Sequence, residues 1–314
     1  MDFKNILGQL NIPAQCKKYG ISIWQYPQFI FLVMGFIIIT SIIVAYFIGS
    51  HYIENVETVA LLVILLATVL LSLAFIITKS FEKLAEANRM KSEFVSVVSH
   101  QLRSPLSNLR WAIELLMSGR IGVIEEDQIE YFKILKENCG RMRELVSNLL
   151  IVSRIDTSTL PINNAEFSLS DLVRRIVKGS EIFAKASNVG LEFNCQENLP
   201  NVIADSSQIT LAVDNLLDNA IKYTKEKGTV KLRLERRDKN LHFEIADSGV
   251  GIPQEDQKYI FQKFFRSQNA AKHQTQGSGL GLYIAKAIIE KSGGKVGFKS
   301  QEGVGSTFWF ALPC

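Results

Sequence analysis

The sequence predicts a multi-domain chain: two transmembrane helices, then an all-α helical hairpin, then a C-terminal α+β sandwich. Two long uncharged apolar runs come first, and a glycine-poor stretch with heptad-spaced apolar residues follows them. Beyond residue 157, short strand-like segments alternate with amphipathic helical ones. A chain of 314 residues is long enough for two or three domains. We place the boundaries at 1–28, 29–78, 79–156 and 157–314.

The two apolar runs, Phe29–Ile48 and Val59–Ile77, carry no charged residue. Each is about as long as a helix that spans a bilayer. Two buried core helices are the alternative, but core helices seldom run so far without a charged face. A cleaved signal peptide has a shorter apolar region that starts nearer to the first residue. The pattern therefore predicts a multi-pass protein of the cell inner or plasma membrane, in contact with the lipid bilayer.

Basic residues flank this pair of runs and set its expected orientation. They are Lys4, Lys17 and Lys18 before the first run, and Lys79, Lys83, Arg89 and Lys91 after the second. The connection Gly49–Thr58 contains no lysine or arginine. Because cytoplasmic flanks are enriched in these residues, we expect both termini in the cytoplasm. A connection of about ten residues has no room for a folded sensor domain, so a signal would enter through the hairpin or through a membrane sensor partner.

Charge and cysteine content argue against two other classes of function. The net charge of +4 is small and part of it is juxtamembrane, which indicates topology and not nucleic-acid binding. The four cysteines are scattered, with no CxxC or Cys/His pairing. Reduced structural thiols are therefore expected, and neither a zinc site nor a disulfide framework is.

The second apolar run leads into a predicted helical hairpin. Its first helix continues without a glycine as far as Gly119 and contains Pro105, which should kink it. A second amphipathic helix is expected from Gln128 to about Ile155. One hairpin cannot bury both of its apolar faces, whereas two hairpins from two chains form a four-helix bundle. A homodimer is therefore expected.

The polar segment Asp156–Phe167 predicts a linker, and the mixed pattern beyond it predicts helices on one face of a mixed sheet. The predicted helices are Leu169–Ala186, Ser206–Tyr223 and Gly279–Ser292. The predicted strands are Leu191–Asn194, Thr229–Arg236, Asn240–Ala246, Lys295–Ser300 and Ser306–Leu312.

Five short strings carry the chemistry. They are SHQLRSPL (Ser99–Leu106), NLLDNAIKYT (Asn215–Thr224), DSGVGI (Asp247–Ile252), GSGLGL (Gly277–Leu282) and GVGST (Gly303–Thr307). The first presents one imidazole on an amphipathic helix. The other four supply glycine turns, backbone amides and a carboxylate, which together can hold a nucleotide. No GxxxxGK[ST] occurs, so this is not a P-loop.

In this order the strings resemble the boxes of membrane-bound sensor histidine kinases of two-component systems. The resemblance covers Phe81 to Pro313, about three quarters of the chain. It implies a HisKA-type dimerisation and phosphoacceptor domain and a GHKL-type (Bergerat) ATP-binding domain. The implied function is autophosphorylation of His100 from ATP, followed by transfer of the phosphoryl group to an aspartate of a cytoplasmic response regulator.

The resemblance also implies roles in the nucleotide site. Asn215, Asn219 and Lys222 share one helix face at i, i+4 and i+7. Asn219 would ligate Mg²⁺ and Asn215 would lie close to it, in keeping with the oxygen preference of this ion. Lys222 would meet phosphate and Tyr223 would cover the base.

The remaining strings are assigned in the same way. Asp247 would accept a hydrogen bond from the adenine amino group, and Gly249 and Gly251 would allow close backbone approach. Backbone amides at the start of a helix would face the phosphates, from Gly277, Gly279, Leu280 and Gly281. Arg266 begins an expected mobile lid, Arg266–Gln276. It either reaches the γ-phosphate or is a solvated arginine.

Two residues of the phosphoacceptor string depart from the family pattern. Gln101 follows His100 where the family usually has Glu or Asp. An amide oxygen can still orient the imidazole, but it cannot act as a base, so a slower kinase is expected. Ser104 stands where Thr or Asn is common. A serine hydroxyl has the same hydrogen-bonding capacity as threonine, so it can still position a water that hydrolyses the regulator's phospho-aspartate.

Three functions therefore remain open on the sequence. The favoured one is an ATP-dependent protein-histidine kinase. The second is an ATP-binding scaffold that acts mainly as a response-regulator phosphatase and phosphorylates itself poorly. The third, a gyrase-like ATPase, is disfavoured by the membrane hairpin and by the histidine string.

Overall fold

The structure is a computed structural model that describes residues 27–120, 122, 124–157, 159–225, 227–267, 269 and 277–314. The chain forms two compact units. Of the residues that the structure describes, the first unit contains those from Pro27 to Gln101 and within Ser153–Leu160, and the second contains those within Leu102–Val152 and Pro161–Cys314. Most of the predicted N-terminal segment 1–28, with Lys4, Lys17 and Lys18, lies outside the described residues. So do residues 268 and 270–276 of the expected lid.

The helices are α1 (Pro27–Tyr52), α2 (Val56–Met117), α3 (Glu126–Asp156), α4 (Leu169–Ala186), α5 (Ser206–Tyr223) and α6 (Gly281–Lys291). The strands are β1 (Ala165–Phe167), β2 (Gly190–Cys195), β3 (Val202–Ala204), β4 (Thr229–Arg237), β5 (Asn240–Asp247), β6 (Lys295–Gln301) and β7 (Gly305–Pro313). Every helix and strand predicted from the sequence is present, and the bounds differ by at most about two residues for most of them.

Both apolar runs are helices long enough to cross a membrane, over Leu32–Tyr52 and Val56–Phe81. The expected ten-residue connection between them is wrong, because only Ile53–Asn55 is non-helical. The amide of Ile53 donates to the carbonyl of Gly49 at 2.9 Å, which prolongs α1 through polar residues. The amide of Glu57 donates to Oδ1 of Asn55 at 3.0 Å, which starts α2 early.

Helix α2 runs uninterrupted for 62 residues from the second apolar run through His100, with Pro105 inside it. In the second unit its later part packs against α3 around Leu106, Ile113 and Cys139, which are at most 7% exposed. The Cys139 thiol donates to the carbonyl of Leu106 at 3.3 Å. Large apolar side chains of the hairpin remain exposed, among them Leu109, Trp111, Tyr131 and Met142. These exposed side chains are what the predicted dimer would cover, and the dimer itself stays a prediction.

The C-terminal sheet has the strand order β2-β4-β5-β7-β6. Strands β2 and β4 are parallel and the other pairs are antiparallel. Along β4 the side chains of Val230, Leu232 and Leu234 are buried, whereas Lys231 and Arg233 are exposed. This alternation confirms that one face of the sheet forms the core with the helices while the other faces solvent.

Two local features differ from the prediction. Helix α6 begins at Gly281 and not at Gly279, because Gly279 has a φ of +68° and cannot be helical. The short strands β1 and β3 pair antiparallel in a separate sheet, with Ala165 opposite Ala204. Strands of three residues carry too little periodicity to be found in the sequence.

Candidate functional site

A cleft of about 1010 Å³, including its open mouth, lies in the second unit. Every nucleotide-site residue predicted from the sequence lines it except Gly249 and Leu280. The lining members of that set are Asn215, Asn219, Lys222, Tyr223, Asp247, Gly251, Arg266, Gly277, Gly279 and Gly281. Segments that are far apart in the sequence therefore come together in this cleft, as predicted from the nucleotide-site strings.

Helix α5 supplies one wall of the cleft. It begins at the N-cap Asp205 and buries its apolar face, so that its polar face, with Asn215, Asn219 and Lys222, lines the cleft. The Asn215 side-chain amide donates to the carbonyl of Leu211 at 2.8 Å. Its Oδ1 consequently points to the start of α6, where a methyl group on Gly281 would lie only 2.6 Å from it. Gly281 therefore lets α6 approach α5.

The Lys222 ammonium is already paired inside the site. Its Nζ lies 2.6 Å from Oδ2 of Asp218, one helical turn earlier, and both residues line the cleft. Asp218 was not predicted as a site residue, although its i, i+4 spacing to Lys222 is visible in the sequence. Nor were Glu144 and Asn148 of α3, which line the cleft too. No sequence pattern marks those two as site residues.

Asp247, at the end of β5, is a half-buried carboxylate that lines the cleft. Its Oδ1 accepts the amides of Gly249 at 2.9 Å and Ser306 at 3.2 Å. Burial raises the pKa of this carboxyl above its ordinary value, although the two amide bonds lower it. Since both bonds end on Oδ1, Oδ2 is the oxygen left to recognise a ligand. Gly249 thus acts on Asp247 and does not itself line the cleft.

The glycines of the cleft are required by its shape. Gly251 has a φ of +65°, and a Cβ there would overlap the carbonyl of Gln301. A Cβ on Gly279 would lie 2.7 Å from the backbone of Phe264. Leu280 is buried at 1% exposure, so it anchors the start of α6 instead of lining the cleft.

Arg266, the first residue of the expected lid, contacts Gly277, the residue that follows the lid. Its Nη1 donates to the carbonyl of Gly277 at 3.3 Å, and both residues line the cleft. A cationic side chain and the amides that begin an eleven-residue helix therefore face the same space. Together with the amide oxygens of α5, this donor set and the side-chain-free glycines fit a nucleotide with Mg²⁺.

The phosphoacceptor string lies on α2. His100, Gln101 and Ser104 are all exposed, so the imidazole is accessible from solvent. The residue before it, Ser99, is only 1% exposed. His100 and Gln101 belong to the first unit, whereas Ser104 and the cleft belong to the second.

Two domain families match the chain. Residues 90–158 match the "His Kinase A (phospho-acceptor) domain". Residues 204–314 match the "Histidine kinase-, DNA gyrase B-, and HSP90-like ATPase" family. The first match includes the phosphoacceptor string together with Glu144 and Asn148. The second includes the other lining residues of the cleft.

Similar proteins agree with these matches. The circadian input-output histidine kinase CikA of Synechococcus elongatus is 33% identical over 229 residues, which are 72% of this chain and 30% of the relative. The chain spans about a third of the length of the curated relatives it matches.

Two solved structures are similar in fold as well as in sequence. Full-length ShkA in complex with AMPPNP is 26% identical, with a TM-score of 0.60 over 70% of this chain and 45% of that one. The histidine kinase ThkA in complex with the response regulator protein TrrA is also 26% identical, with a TM-score of 0.51 over 75% of this chain and 66% of that one. With both domain families in their usual order, the chain belongs to the sensor histidine kinases of two-component systems, which are ATP-dependent protein-histidine kinases.

Proposed function

We propose that this chain is a membrane-bound sensor kinase that autophosphorylates His100 from ATP and passes the phosphoryl group to an aspartate of a cytoplasmic response regulator. The observation that carries the proposal is the cleft. In one chain it gathers the polar face of α5, Asp247 and the glycines before α6, and the same chain displays an exposed imidazole in a phosphoacceptor string.

Different residues of the cleft bind different parts of the nucleotide. Asp247 accepts from the adenine amino group, and Tyr223 covers the base. Lys222, Arg266 and the amides at the start of α6 bind phosphate. Asn219 would hold Mg²⁺ with Asn215 beside it, and the ion would supply positive charge to the phosphate oxygens.

The chemical step is an in-line displacement. A lone pair of the neutral His100 imidazole forms the N–P bond, the bond between the γ-phosphorus and the bridging oxygen breaks, and ADP leaves with that electron pair. Gln101 accepts a hydrogen bond from the other ring nitrogen and fixes the tautomer. Because an amide cannot take the proton, the imidazole loses it to water.

The wider context is part of the same proposal. Segment 29–78 forms a hairpin in the inner or plasma membrane with both termini in the cytoplasm. Segment 79–156 dimerises as a four-helix bundle, and segment 157–314 binds ATP. The two apolar helices, the exposed apolar face of the hairpin and the regulator complex of ThkA support these assignments.

Labelling tests the site of phosphorylation. Incubation with Mg²⁺ and γ-labelled ATP should give acid-labile label on the parent chain and none on His100→Gln, because the acceptor nitrogen is lost. His51→Gln is the matched control and should keep the label, since His51 lies at the end of α1 next to the outer turn. Undiminished label on His100→Gln would refute the assignment.

A second function is favoured by one residue, Gln101. If loss of the acid makes autophosphorylation slow, the chain acts mainly as a response-regulator phosphatase, with Ser104 orienting the hydrolytic water. Removal of phosphate from a phosphorylated regulator, compared between the parent and Ser104→Ala, separates this function from the kinase.

A further inference from the structure

Asp205 makes two separate sets of hydrogen bonds, one with each carboxylate oxygen. Oδ1 caps α5: it accepts the amide of Ser207 at 2.9 Å, its hydroxyl at 2.6 Å and the amide of Gln208 at 3.2 Å. Oδ2 accepts the amide of Asn163 at 2.8 Å. Only the first set is a helix cap. The second reaches back 42 residues to the segment that precedes β1.

The segment that follows Asn163 is paired with β3. Strand β1 pairs with β3, and Ala165 lies opposite Ala204, the residue before Asp205. Beyond that pair the side-chain amide of Asn201 donates to Glu166 at 3.0 Å. The hydrogen bond from Asn163 to Asp205 therefore lies at the end of the β1–β3 ladder that is nearer to the linker.

The Asp205 carboxylate is also a strong hydrogen-bond acceptor for the linker amide. Asp205 is only 7% exposed, and hydrogen bonds to a carboxylate are stronger than those between neutral groups. Burial raises the pKa of the Asp205 carboxyl, but the bonds from Ser207, Asn163 and Gln208 outweigh it and leave the pKa below its ordinary value. The group is consequently charged at neutral pH. A negative charge at the start of α5 is favourable for the helix dipole as well.

Helix α5 connects this attachment to the nucleotide. The helix is continuous from Ser206 to Tyr223, and its polar face lines the cleft through Asn215, Asn219 and Lys222. A helix is stiff over this length, so the backbone at Asn163 is held to the same rigid element that positions the phosphate-binding residues.

We propose that Asp205 is a positioning residue for phosphoryl transfer, which fixes the interdomain linker to the nucleotide-binding helix. This inference rests on the proposed kinase function. A linker held at Asn163 restricts the orientations that the nucleotide domain samples, and restriction of this kind raises the effective concentration of ATP at the acceptor histidine. Nucleotide binding itself does not depend on the bond.

The two oxygens allow a selective test in the full-length chain. In Asp205→Asn the oxygen keeps the three cap bonds, and an NH₂ group replaces Oδ2, so a donor faces the amide of Asn163. Ser207→Ala is the matched control on the other oxygen. From the linker side, Asn163→Pro removes the donor, whereas Asn163→Ala keeps it. The proline variant decides the test if Asp205→Asn does not fold.

Two measurements are made on each variant: amide hydrogen exchange over residues 161–165, and autophosphorylation over a range of Mg²⁺-ATP concentrations. Asp205→Asn and Asn163→Pro should exchange at least about tenfold faster in this segment. Their maximal rate should fall about three- to tenfold, with the KM for ATP within twofold of the parent. Ser207→Ala and Asn163→Ala should match the parent rate.

An unchanged or increased maximal rate in Asp205→Asn and Asn163→Pro would overturn the inference. So would a rate loss accompanied by an equal rise in KM, because Asp205 would then act through the nucleotide site. If the parent chain itself shows no acid-labile phosphate, the proposed function fails instead. The exchange data would still decide whether the bond holds the linker.

Discussion

At position 101 a glutamine follows His100, the proposed acceptor, and it can perform only one of the two tasks that an acid would perform there. The amide oxygen can orient the imidazole but cannot remove its proton. Gln101→Glu should therefore raise the autophosphorylation rate, by at most the ~10²–10⁴-fold ascribed to a general base. Gln101→Ala should lower it, because the ring loses its hydrogen-bond anchor. Single-turnover rates at saturating Mg²⁺-ATP measure both effects.

The competing account is that lid closure or domain docking limits the rate. In that case Gln101→Glu would be silent and Gln101→Ala only mildly harmful. A Glu variant slower than the parent would contradict both accounts.

The second residue-scale prediction concerns base selection at Asp247. In Asp247→Asn, Oδ1 can keep the amides of Gly249 and Ser306, while an NH₂ group replaces Oδ2. That NH₂ group would meet another donor in the adenine amino group, whereas it can donate a hydrogen bond to the carbonyl of guanine. We expect ATP affinity to fall at least about tenfold, and the preference for ATP over GTP to shrink or invert. Calorimetric titration with both nucleotides measures this, and an equal loss for both would show that the residue does not select the base.

The same substitution predicts a pH dependence of stability. Burial raises the pKa of the Asp247 carboxyl, so the folded chain holds this proton more tightly than the unfolded chain does. The group therefore favours folding below its unfolded pKa of about 3.9, and this contribution is lost as the pH rises through the folded pKa. Nucleotide-free Asp247→Asn should be more stable than the parent at pH 7, and the gain should shrink towards pH 4. Thermal unfolding across this range checks the sign.

At the scale of elements, α5 and α6 must approach closely for the cleft to form. A methyl group at Gly281 would meet the Asn215 side chain at 2.6 Å. Gly281→Ala should thus weaken Mg²⁺-ATP binding at least about tenfold, because it displaces a residue beside the proposed ion site. Gly179→Ala is the matched control within α4, where nothing lies within 4 Å of the added atom. It should leave affinity unchanged and stabilise the helix by about 1 kcal/mol. Calorimetry and thermal unfolding report the two effects, and equal affinity in both variants would disprove the packing argument.

The elements also show what sequence alone could supply. Helix α5 was predicted to the residue, because its apolar period lies within it and the residue that caps it immediately precedes it. The start of α6 was placed two residues early, since the φ of Gly279 depends on the backbone of Phe264 packed against it. Most site residues came from strings of known chemistry. Asp218 and Asp205 did not, since their roles depend on partners that only the fold identifies.

At the scale of the whole molecule, the helix that contains the second apolar run continues without a break to His100, the proposed phosphoacceptor. Helix α2 starts at Val56 and carries both the second apolar run and His100. The turn before it is only three residues long. In the proposed membrane hairpin, a signal can therefore reach His100 through the contact between α1 and α2.

The last prediction tests this contact. At the outer end of the hairpin, Val59 is 3% exposed, and a methyl group on Gly49 would lie 2.9 Å from it. Gly49→Ala should wedge the helices apart and shift the basal autophosphorylation rate at least about fivefold, the lower range of typical coupling between distant sites. Gly35→Ala is the matched control in the same helix, where the added atom meets nothing within 4 Å, and it should leave the rate unchanged. Both rates are measured in membrane vesicles at saturating Mg²⁺-ATP. Equal rates for the two variants would show that this contact between α1 and α2 does not affect the kinase.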